Sequence, residues 1–117
     1  MSPKMDSLSK KLLVLQDIEL KLRDLRDPRY KEAFGEVDEE RIKALEEAKK
    51  KLEEQIPRDV LSLFRSLMKM HGRAVAIVID GDTCSNCFAK LPVGVQPPGK
   101  DEIVQCNICG LILYFDN

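Results

Sequence analysis

Four cysteines in two matched pairs carry the clearest chemical signal in this sequence. Cys84 and Cys87 form one Cys-x-x-Cys motif, Cys106 and Cys109 form the other, and 18 residues separate the two motifs. Each motif can fold into a tight knuckle whose backbone amides point toward the sulfur atoms. Two facing knuckles supply four soft ligands in a tetrahedron, which is typical of a structural zinc site. The sequence therefore predicts one structural Zn²⁺ held by all four thiolates.

Disulfides, a redox motif and an iron site are the alternative interpretations of these cysteines. Two disulfides would suit a secreted miniprotein, but the polar and basic residues 1–11 do not resemble a signal peptide. A thioredoxin-like motif needs one Cys-x-x-Cys beside a strand–helix–strand unit, and the cysteine-containing region has no helical pattern. A rubredoxin-like iron site uses the same four ligands. We favour zinc because the intervening segment is short and the tail has few aromatic residues, but iron and disulfides stay open.

The composition fits one domain or two small ones. Of the 117 residues, 33% are charged and only 5% are aromatic, which suits helices with charged faces better than a large globular core. The net charge of −1 provides no general attraction to nucleic acid or to an anionic membrane. The apolar runs at 74–79 and 111–115 are too short to span a bilayer. We expect a soluble, cytoplasmic protein with no membrane insertion.

The composition changes near Gly72, and this change predicts two parts. Leu, Lys, Glu and Arg dominate before it, whereas five of the six glycines and all four cysteines lie at or after it. We predict an α+β fold with a helical arm, residues 1–71, and a small four-cysteine β zinc ribbon, residues 72–117. So small a β unit cannot bury enough apolar surface unaided. Metal binding is therefore expected to be part of its folding free energy.

Heptad-spaced apolar residues predict that the arm contains an antiparallel, coiled-coil-like helical hairpin. The seam of the first helix, residues 7–26, consists of Leu8, Leu15, Ile18, Leu22 and Leu25, with Lys11 in the remaining slot and Leu12 beside it. The seam of the second helix, which begins near Asp38, consists of Ile42, Leu45, Leu52 and Ile56, with Lys49 as its interruption. Residues 28–37 between them are expected to form a loop or a short helical turn.

A third helix is predicted for residues 58–70, with Gly72 ending it in a left-handed conformation. A hairpin alone leaves part of its Leu/Ile seam exposed to water, so the seam needs a further surface. The third helix could fold back over it, or a partner could cover it. The partner would be another protein or a second copy of this chain, which would make a homodimer through the seam.

The cysteine-rich part is expected to contain short strands around two knuckles. Residues 74–79 are rich in β-branched side chains and predict a strand. Residues 88–95 predict an irregular strand, and residues 102–105 and 111–115 are expected to lead into and out of the second knuckle. Four side chains should form a small apolar face, either packed together or exposed as an aromatic patch for a partner: Phe88, Val95, Tyr114 and Phe115.

The order of these parts resembles a bacterial family of coiled-coil proteins with a C-terminal four-cysteine zinc ribbon, described as nucleic-acid-binding. The similarity covers about residues 56–115, and its most specific element is the closing pattern Cys-x-x-Cys-Gly-x-Ile-Leu-Tyr at 106–114. Relatives usually carry a much longer hairpin and a small or polar residue in place of Phe88. The resemblance implies zinc ligation by the same four cysteines and an adaptor or chaperone-like role. In some members that role is linked to flagellar or type III secretion machinery or to an alternative sigma factor, and RNA binding has been proposed.

The residues favour a non-enzymatic protein that binds another protein. Four cysteines close the coordination sphere of zinc, so no position remains for water or substrate. The only histidine, His71, lies at a predicted helix end, where a positive charge suits the helix dipole, and Asp80 and Asp82 most simply shape a turn. No nucleophile–base pair or phosphate-binding loop stands out.

Nucleic-acid binding, to RNA or DNA, is the alternative function. Residues 72–117 contain three basic and five acidic side chains, and a tetrathiolate zinc centre adds further negative charge. Residues 1–71 contain 16 basic and 15 acidic side chains. Because phosphate attraction needs clustered Lys and Arg, the charge distribution favours a protein partner over a nucleic acid.

Overall fold

The computed structural model describes residues 7–36 and 38–115, which form an α+β fold. Its elements, in chain order, are four helices, α1 (Leu8–Arg26), α2 (Pro28–Phe34), α3 (Glu39–Glu53) and α4 (Arg58–His71), and three strands, β1 (Val75–Ile79), β2 (Thr83–Cys84) and β3 (Ile112–Phe115). The outermost parts of the predicted arm and ribbon, residues 1–6 and 116–117, lie outside the described residues. In the part that is described, no helix is both long and apolar enough to cross a membrane.

Short polar side chains and a glycine set the ends of the helices. The Ser7 hydroxyl accepts a hydrogen bond from the Lys10 amide at the start of α1, and the Asp38 carboxylate accepts from two amides of the first turn of α3. Asp27 follows α1 and caps α2, whose first residue is Pro28. Gly72 ends α4 at φ 76°, the left-handed conformation expected from the sequence. The first and third predicted helices are confirmed within one residue at each end.

The segment between the first two predicted helices is α2, so the short helical turn is the alternative that the structure supports. Position 37, the last residue of that predicted segment, lies outside the described residues. The second predicted helix is confirmed as α3 but is shorter than its heptad pattern, because it ends at Glu53. Ile56 nevertheless belongs to the main core, where it is 6% exposed.

The three strands form one mixed sheet in the order β2-β1-β3. β1 runs antiparallel to β2, with Val78 opposite Cys84, and parallel to β3, with Val75 opposite Ile112. The strands expected at 74–79 and 111–115 are thus confirmed as β1 and β3. The central strand connects both cysteine motifs, because β2 enters the first motif and β3 leaves the second.

Two of the predicted strands are wrong. In the segment 88–95 only Lys90 forms a β-bridge, to Thr83, and in 102–105 only Gln105 does, to Ile112. Pro92 and Gly94 explain the first case, since proline has no amide to donate and glycine weakens a strand. In the second case the chain pairs with β3 only briefly before the second cysteine motif begins. Both segments are therefore single-bridge arms of the knuckles.

One buried cluster joins the helices to the sheet. It takes Leu8, Leu12 and Leu15 from the first half of α1, Leu61, Phe64 and Leu67 from α4, and Leu111, Ile112 and Leu113 from the end of the chain. Phe64, Leu12 and Leu111 are each at most 1% exposed. The small sheet therefore shares its apolar core with the helices. The division of the chain at residue 72 stays a prediction.

The second half of α1 lies along α3. Ile18, Leu22 and Leu25 are buried there, outside the main cluster. Two ion pairs join the helices: Glu19 to Lys49, at 3.2 Å, and Arg26 to Glu46. Lys49, which interrupts the predicted seam, therefore has an acidic partner on α1. The α1 seam is covered within one chain, so a second copy is not required to bury it.

The Gln16 side chain joins α1 by hydrogen bonds to residues 74 and 75, at the start of β1. Its Oε1 accepts hydrogen bonds from the Ala74 amide (2.6 Å) and the Val75 amide (2.7 Å), and its Nε2 donates to the Val75 carbonyl (3.2 Å). Gln16 is only 9% exposed. Its amide therefore takes the place that a neighbouring strand would occupy beside β1. The heptad pattern gave no indication of this role.

We predict that Gln16→Leu destabilises the fold by about 1–3 kcal/mol, because it leaves the buried amides of Ala74 and Val75 without an acceptor. Urea unfolding of the metal-loaded protein, followed by circular dichroism, measures this loss. Asp17→Ala is the matched control. It removes an exposed ion pair to Lys21 and should change stability by less than about 0.5 kcal/mol. Equal stability of the two variants would contradict the role given to Gln16.

Candidate metal centre

The structure brings all four predicted ligands together. The Sγ atoms of Cys84, Cys87, Cys106 and Cys109 all lie within 4.8 Å of one another. Across the two motifs, the Cys84 and Cys109 sulfurs are 3.8 Å apart and the Cys87 and Cys106 sulfurs are 3.7 Å apart. A tetrahedron with metal–sulfur distances of about 2.3 Å has edges of about 3.8 Å. These two separations fit such a tetrahedron, and the four thiols are free rather than bridged.

The two motifs fold into the same knuckle. In the first, the Cys84 amide donates to the Ala89 carbonyl (3.1 Å), and in the second, the Cys106 amide donates to the Leu111 carbonyl (2.8 Å). In each knuckle the amide four residues after the first cysteine donates a hydrogen bond to the carbonyl of that cysteine. Phe88 donates to Cys84 at 2.8 Å, and Gly110 donates to Cys106 at 3.0 Å. The β-bridge of the first knuckle, Thr83 to Lys90, also lies at the position equivalent to that of the second, Gln105 to Ile112. The chain therefore contains one knuckle twice, 22 residues apart.

A left-handed residue completes each knuckle. Gly110 has φ 82° in the second knuckle, and Phe88 has φ 61° at the equivalent position in the first. Glycine adopts this conformation at little steric cost, whereas a bulky residue there is strained. The Phe88 side chain is also 71% exposed. Of the two alternatives left open for the apolar face, packed or exposed, Phe88 is therefore exposed. Tyr114, Phe115 and Val95 are half-buried against the core.

Burial and backbone amides act in opposite directions on the first cysteine of each knuckle. Burial raises the pKa of Cys84 to about 12. The Cys87 and Asn86 amides lower this pKa, but their effect is smaller than that of burial. Burial also raises the pKa of Cys106, but the Cys109 and Ile108 amides oppose it and the pKa falls to about 7. The Ile108 amide lies 3.5 Å from the Cys106 sulfur. Amides aimed at a sulfur favour the thiolate, which is the form that binds metal.

Ser85 connects the first knuckle to the central strand. Its hydroxyl accepts a hydrogen bond from the Ile77 amide (2.9 Å), and its own amide donates to the Ile77 carbonyl (3.0 Å). The cysteine spacing gave no indication of this role for Ser85. Its position directly after the first cysteine, where a small hydroxyl can reach the neighbouring strand, is the signal that could have found it.

The remaining candidate residues lie away from a common site. His71 is exposed at the end of α4, and Asp80 is exposed in the turn after β1, where its φ is 54°. The Asp82 carboxylate accepts a hydrogen bond from the Thr83 hydroxyl at 2.9 Å. Among the described residues, the four-cysteine cluster is the one group of three or more potential ligands that could hold a metal ion.

Comparison with known proteins found no match for this chain. No protein-family model matches the sequence, and no curated protein or solved structure shows significant similarity to it. The geometry of the chain's own residues therefore carries the functional argument.

We predict about one metal ion per chain and its loss in Cys106→Ser, because a hydroxyl is a poor substitute for a thiolate in a four-sulfur site. Mass spectrometry of the intact protein under native conditions measures the metal content. Asn107→Ser is the control, since it changes an exposed residue of the same knuckle and should retain the metal. Full metal occupancy in Cys106→Ser would show that the four cysteines do not act as one site.

We also predict that metal affinity falls as the pH is lowered, because bound cysteines must be deprotonated. With its pKa raised to about 12, Cys84 releases a proton on metal binding throughout the neutral range. With its pKa of about 7, Cys106 releases one mainly below that pH. Calorimetric titration in buffers of different ionisation enthalpy should therefore detect fewer protons released at pH 8.5 than at pH 6.5. A proton count that rises with pH would contradict this ordering.

Proposed function

We propose that this chain is a non-enzymatic, cytoplasmic zinc-ribbon adaptor that binds another protein. The observation that carries the proposal is that four thiols lie within 4.8 Å of one another, with two separations between the motifs of 3.8 and 3.7 Å that fit a metal tetrahedron. Such a set fills the coordination sphere of Zn²⁺ and leaves no position for water or a substrate. The metal would stabilise the two knuckles and fix the surface around them. Zinc is proposed rather than iron because the segment between the two motifs is short and the tail has few aromatic residues.

The helical part is proposed to be an arm with an antiparallel hairpin. Support comes from the order of the two ion pairs, because Glu19 pairs with Lys49 while the later residue Arg26 pairs with the earlier residue Glu46. The radius of gyration, 15.6 Å, exceeds the value of about 13 Å for a compact chain of this length, and the longest dimension is 49 Å. Both features fit helices that extend beyond the main core.

Exposed apolar side chains at both parts of the molecule support a docking role. Phe34 on α2 is 73% exposed, and its ring lies beside that of Tyr30 in a tilted arrangement, with centroids 4.9 Å apart. Phe88 and Ile108, one in each knuckle, are 71% and 65% exposed. Scattered single exposures are common in proteins, but aromatic residues held outward are frequent anchors of interfaces. The adaptor or chaperone-like role implied by the family resemblance, including a link to secretion machinery or a sigma factor, belongs to this proposal.

Affinity capture from nuclease-treated extract of the source organism tests the proposal. We expect the wild-type chain to retain a protein partner and Cys106→Ser to lose it, with Asn107→Ser behaving as wild type. Capture that disappears on nuclease treatment, together with a band shift on RNA or DNA that persists at moderate salt, would support the nucleic-acid-binding alternative instead. Equal capture by the wild type and Cys106→Ser would place recognition on the arm.

A further inference from the structure

Two sulfur–sulfur contacts within the four-cysteine cluster each join a buried thiol to a more accessible one. The Cys84 sulfur lies 3.8 Å from that of Cys109, and the Cys106 sulfur lies 3.7 Å from that of Cys87. Cys84 and Cys106 are 0% and 3% exposed, whereas Cys87 and Cys109 are half-buried. Each contact therefore provides an outer thiol that a small solute can reach and an inner thiol beside it.

This pairing of an outer and an inner thiol is the arrangement that reversible cysteine oxidation requires. A hydroperoxide oxidises an accessible cysteine to a sulfenic acid, and a neighbouring thiol condenses with the sulfenic acid to form a disulfide. The bonded sulfurs of a disulfide are about 2.05 Å apart, so sulfurs at 3.7 and 3.8 Å need to approach by less than about 2 Å. The peroxide reacts at sulfur, so the reaction needs no open position on a bound metal ion.

We propose that the four-cysteine cluster is also a site of reversible oxidation by hydroperoxides, in which Cys87 and Cys109 react first and Cys106 and Cys84 are their respective resolving partners. This inference needs no partner protein and goes beyond the proposed function. Disulfide sulfurs do not replace thiolates as ligands, so oxidation would release a metal ion held by the cluster.

The reaction balances with hydrogen peroxide as the oxidant. In each pair the outer thiol and one H₂O₂ give a sulfenic acid and water. The inner sulfur then attacks the sulfenic sulfur, the S–S bond forms, and the S–OH oxygen leaves as a second water. Where the sulfurs begin as thiolates, hydroxide is released in place of each water. A thiol reductant restores the cysteines by exchange with the disulfides.

The pairing has a structural consequence, because both contacts join one knuckle to the other. Disulfides formed within the Cys-x-x-Cys motifs would leave the two knuckles unconnected after the metal had been released. Disulfides from Cys84 to Cys109 and from Cys87 to Cys106 would instead connect the chain at β2 with the chain that leads into β3, on the two sides of β1. The oxidised chain is therefore expected to keep its two knuckles together without a metal ion.

The test treats the full, zinc-loaded chain with a small excess of hydrogen peroxide over two equivalents. We expect release of the zinc and a mass lower by about 4 Da, because two disulfides remove four hydrogens. Dithiothreitol and added zinc should reverse both changes. Retention of zinc with unchanged mass, or oxidation to sulfinic acids without disulfides, would overturn the proposal.

Peptide mapping of the oxidised chain identifies the pairs. Trypsin cleaves after Arg73, Lys90 and Lys100, which places the two motifs on separate peptides, 74–90 and 101–117. The expected disulfides join these two peptides. Partial reduction and cyanylation, which cleaves the chain at each freed cysteine, should then pair Cys84 with Cys109. Disulfides within the motifs, or between Cys84 and Cys106, would contradict the proposed pairing.

Dimedone, which traps sulfenic acids, tests which thiols react first in the wild-type chain. Added during oxidation, it should label Cys87 and Cys109 at least about tenfold more than Cys84 and Cys106, because the latter two are buried. Equal labelling of all four cysteines would show that the outer and inner thiols do not have separate roles.

Two metal-free states of the wild type test the structural consequence. A chelator prepares the reduced state, and peroxide prepares the oxidised one. We expect the oxidised state to unfold at the higher temperature, because its cross-links restrict the unfolded chain. An equal or lower unfolding temperature would show that the disulfides do not keep the knuckles together. None of these measurements involves a partner, so their failure is distinct from failure of the adaptor proposal, which the extract capture tests.

Discussion

The backbone hydrogen bonds of β1 hold the two halves of the metal centre at a fixed separation. On one edge β1 pairs with β2, which enters the first knuckle, and on the other edge it pairs with β3, which leaves the second. Each knuckle supplies two sulfurs, so four sulfurs can meet only if both edges of β1 are paired in register. Part of the β2-side edge is closed by side chains instead of a strand: Gln16 bonds to residues 74 and 75, and Ser85 to Ile77. The helices and the metal centre thus share one strand as their common support.

Because that strand also lies in the main core, a metal ion held by the four cysteines and the apolar side chains would stabilise the same structure. Val75, Ala76 and Val78 are all at most 8% exposed and pack in the cluster that contains Leu12 and Phe64. The sequence suggested a β unit whose folding depends on metal. The structure adds a helical layer to that unit, so the apolar core supports the sheet, and a metal ion bound by the four cysteines would connect the two knuckles.

Much of this arrangement could be predicted from local patterns, and the errors have identifiable causes. Cysteine spacing gave all four members of the cluster, and capping residues gave the start of α3 at Asp38 and the end of α4 at Gly72. Periodicity could not show that residues 88–95 would be too rich in proline and glycine for a strand. Periodicity also could not reveal the hydrogen bonds of Gln16 to the sheet, because a polar residue in a helix is expected to face solvent unless the neighbouring strand is known. Whether Phe88 would be packed or exposed could not be decided from composition, which specifies neither its left-handed backbone nor its surroundings.

The strain at Phe88 can persist because other contributions to the fold are larger. A non-glycine residue in the left-handed region costs on the order of 1–3 kcal/mol, whereas structural zinc contributes about 10–16 kcal/mol in small zinc-binding peptides. A knuckle closed by metal can therefore keep an unfavourable residue without unfolding. The same residue in a turn held by hydrogen bonds alone would remove roughly a fifth of a typical protein's stability of about 5–15 kcal/mol. A metal-closed knuckle is thus a place where a strained, exposed aromatic residue can be maintained.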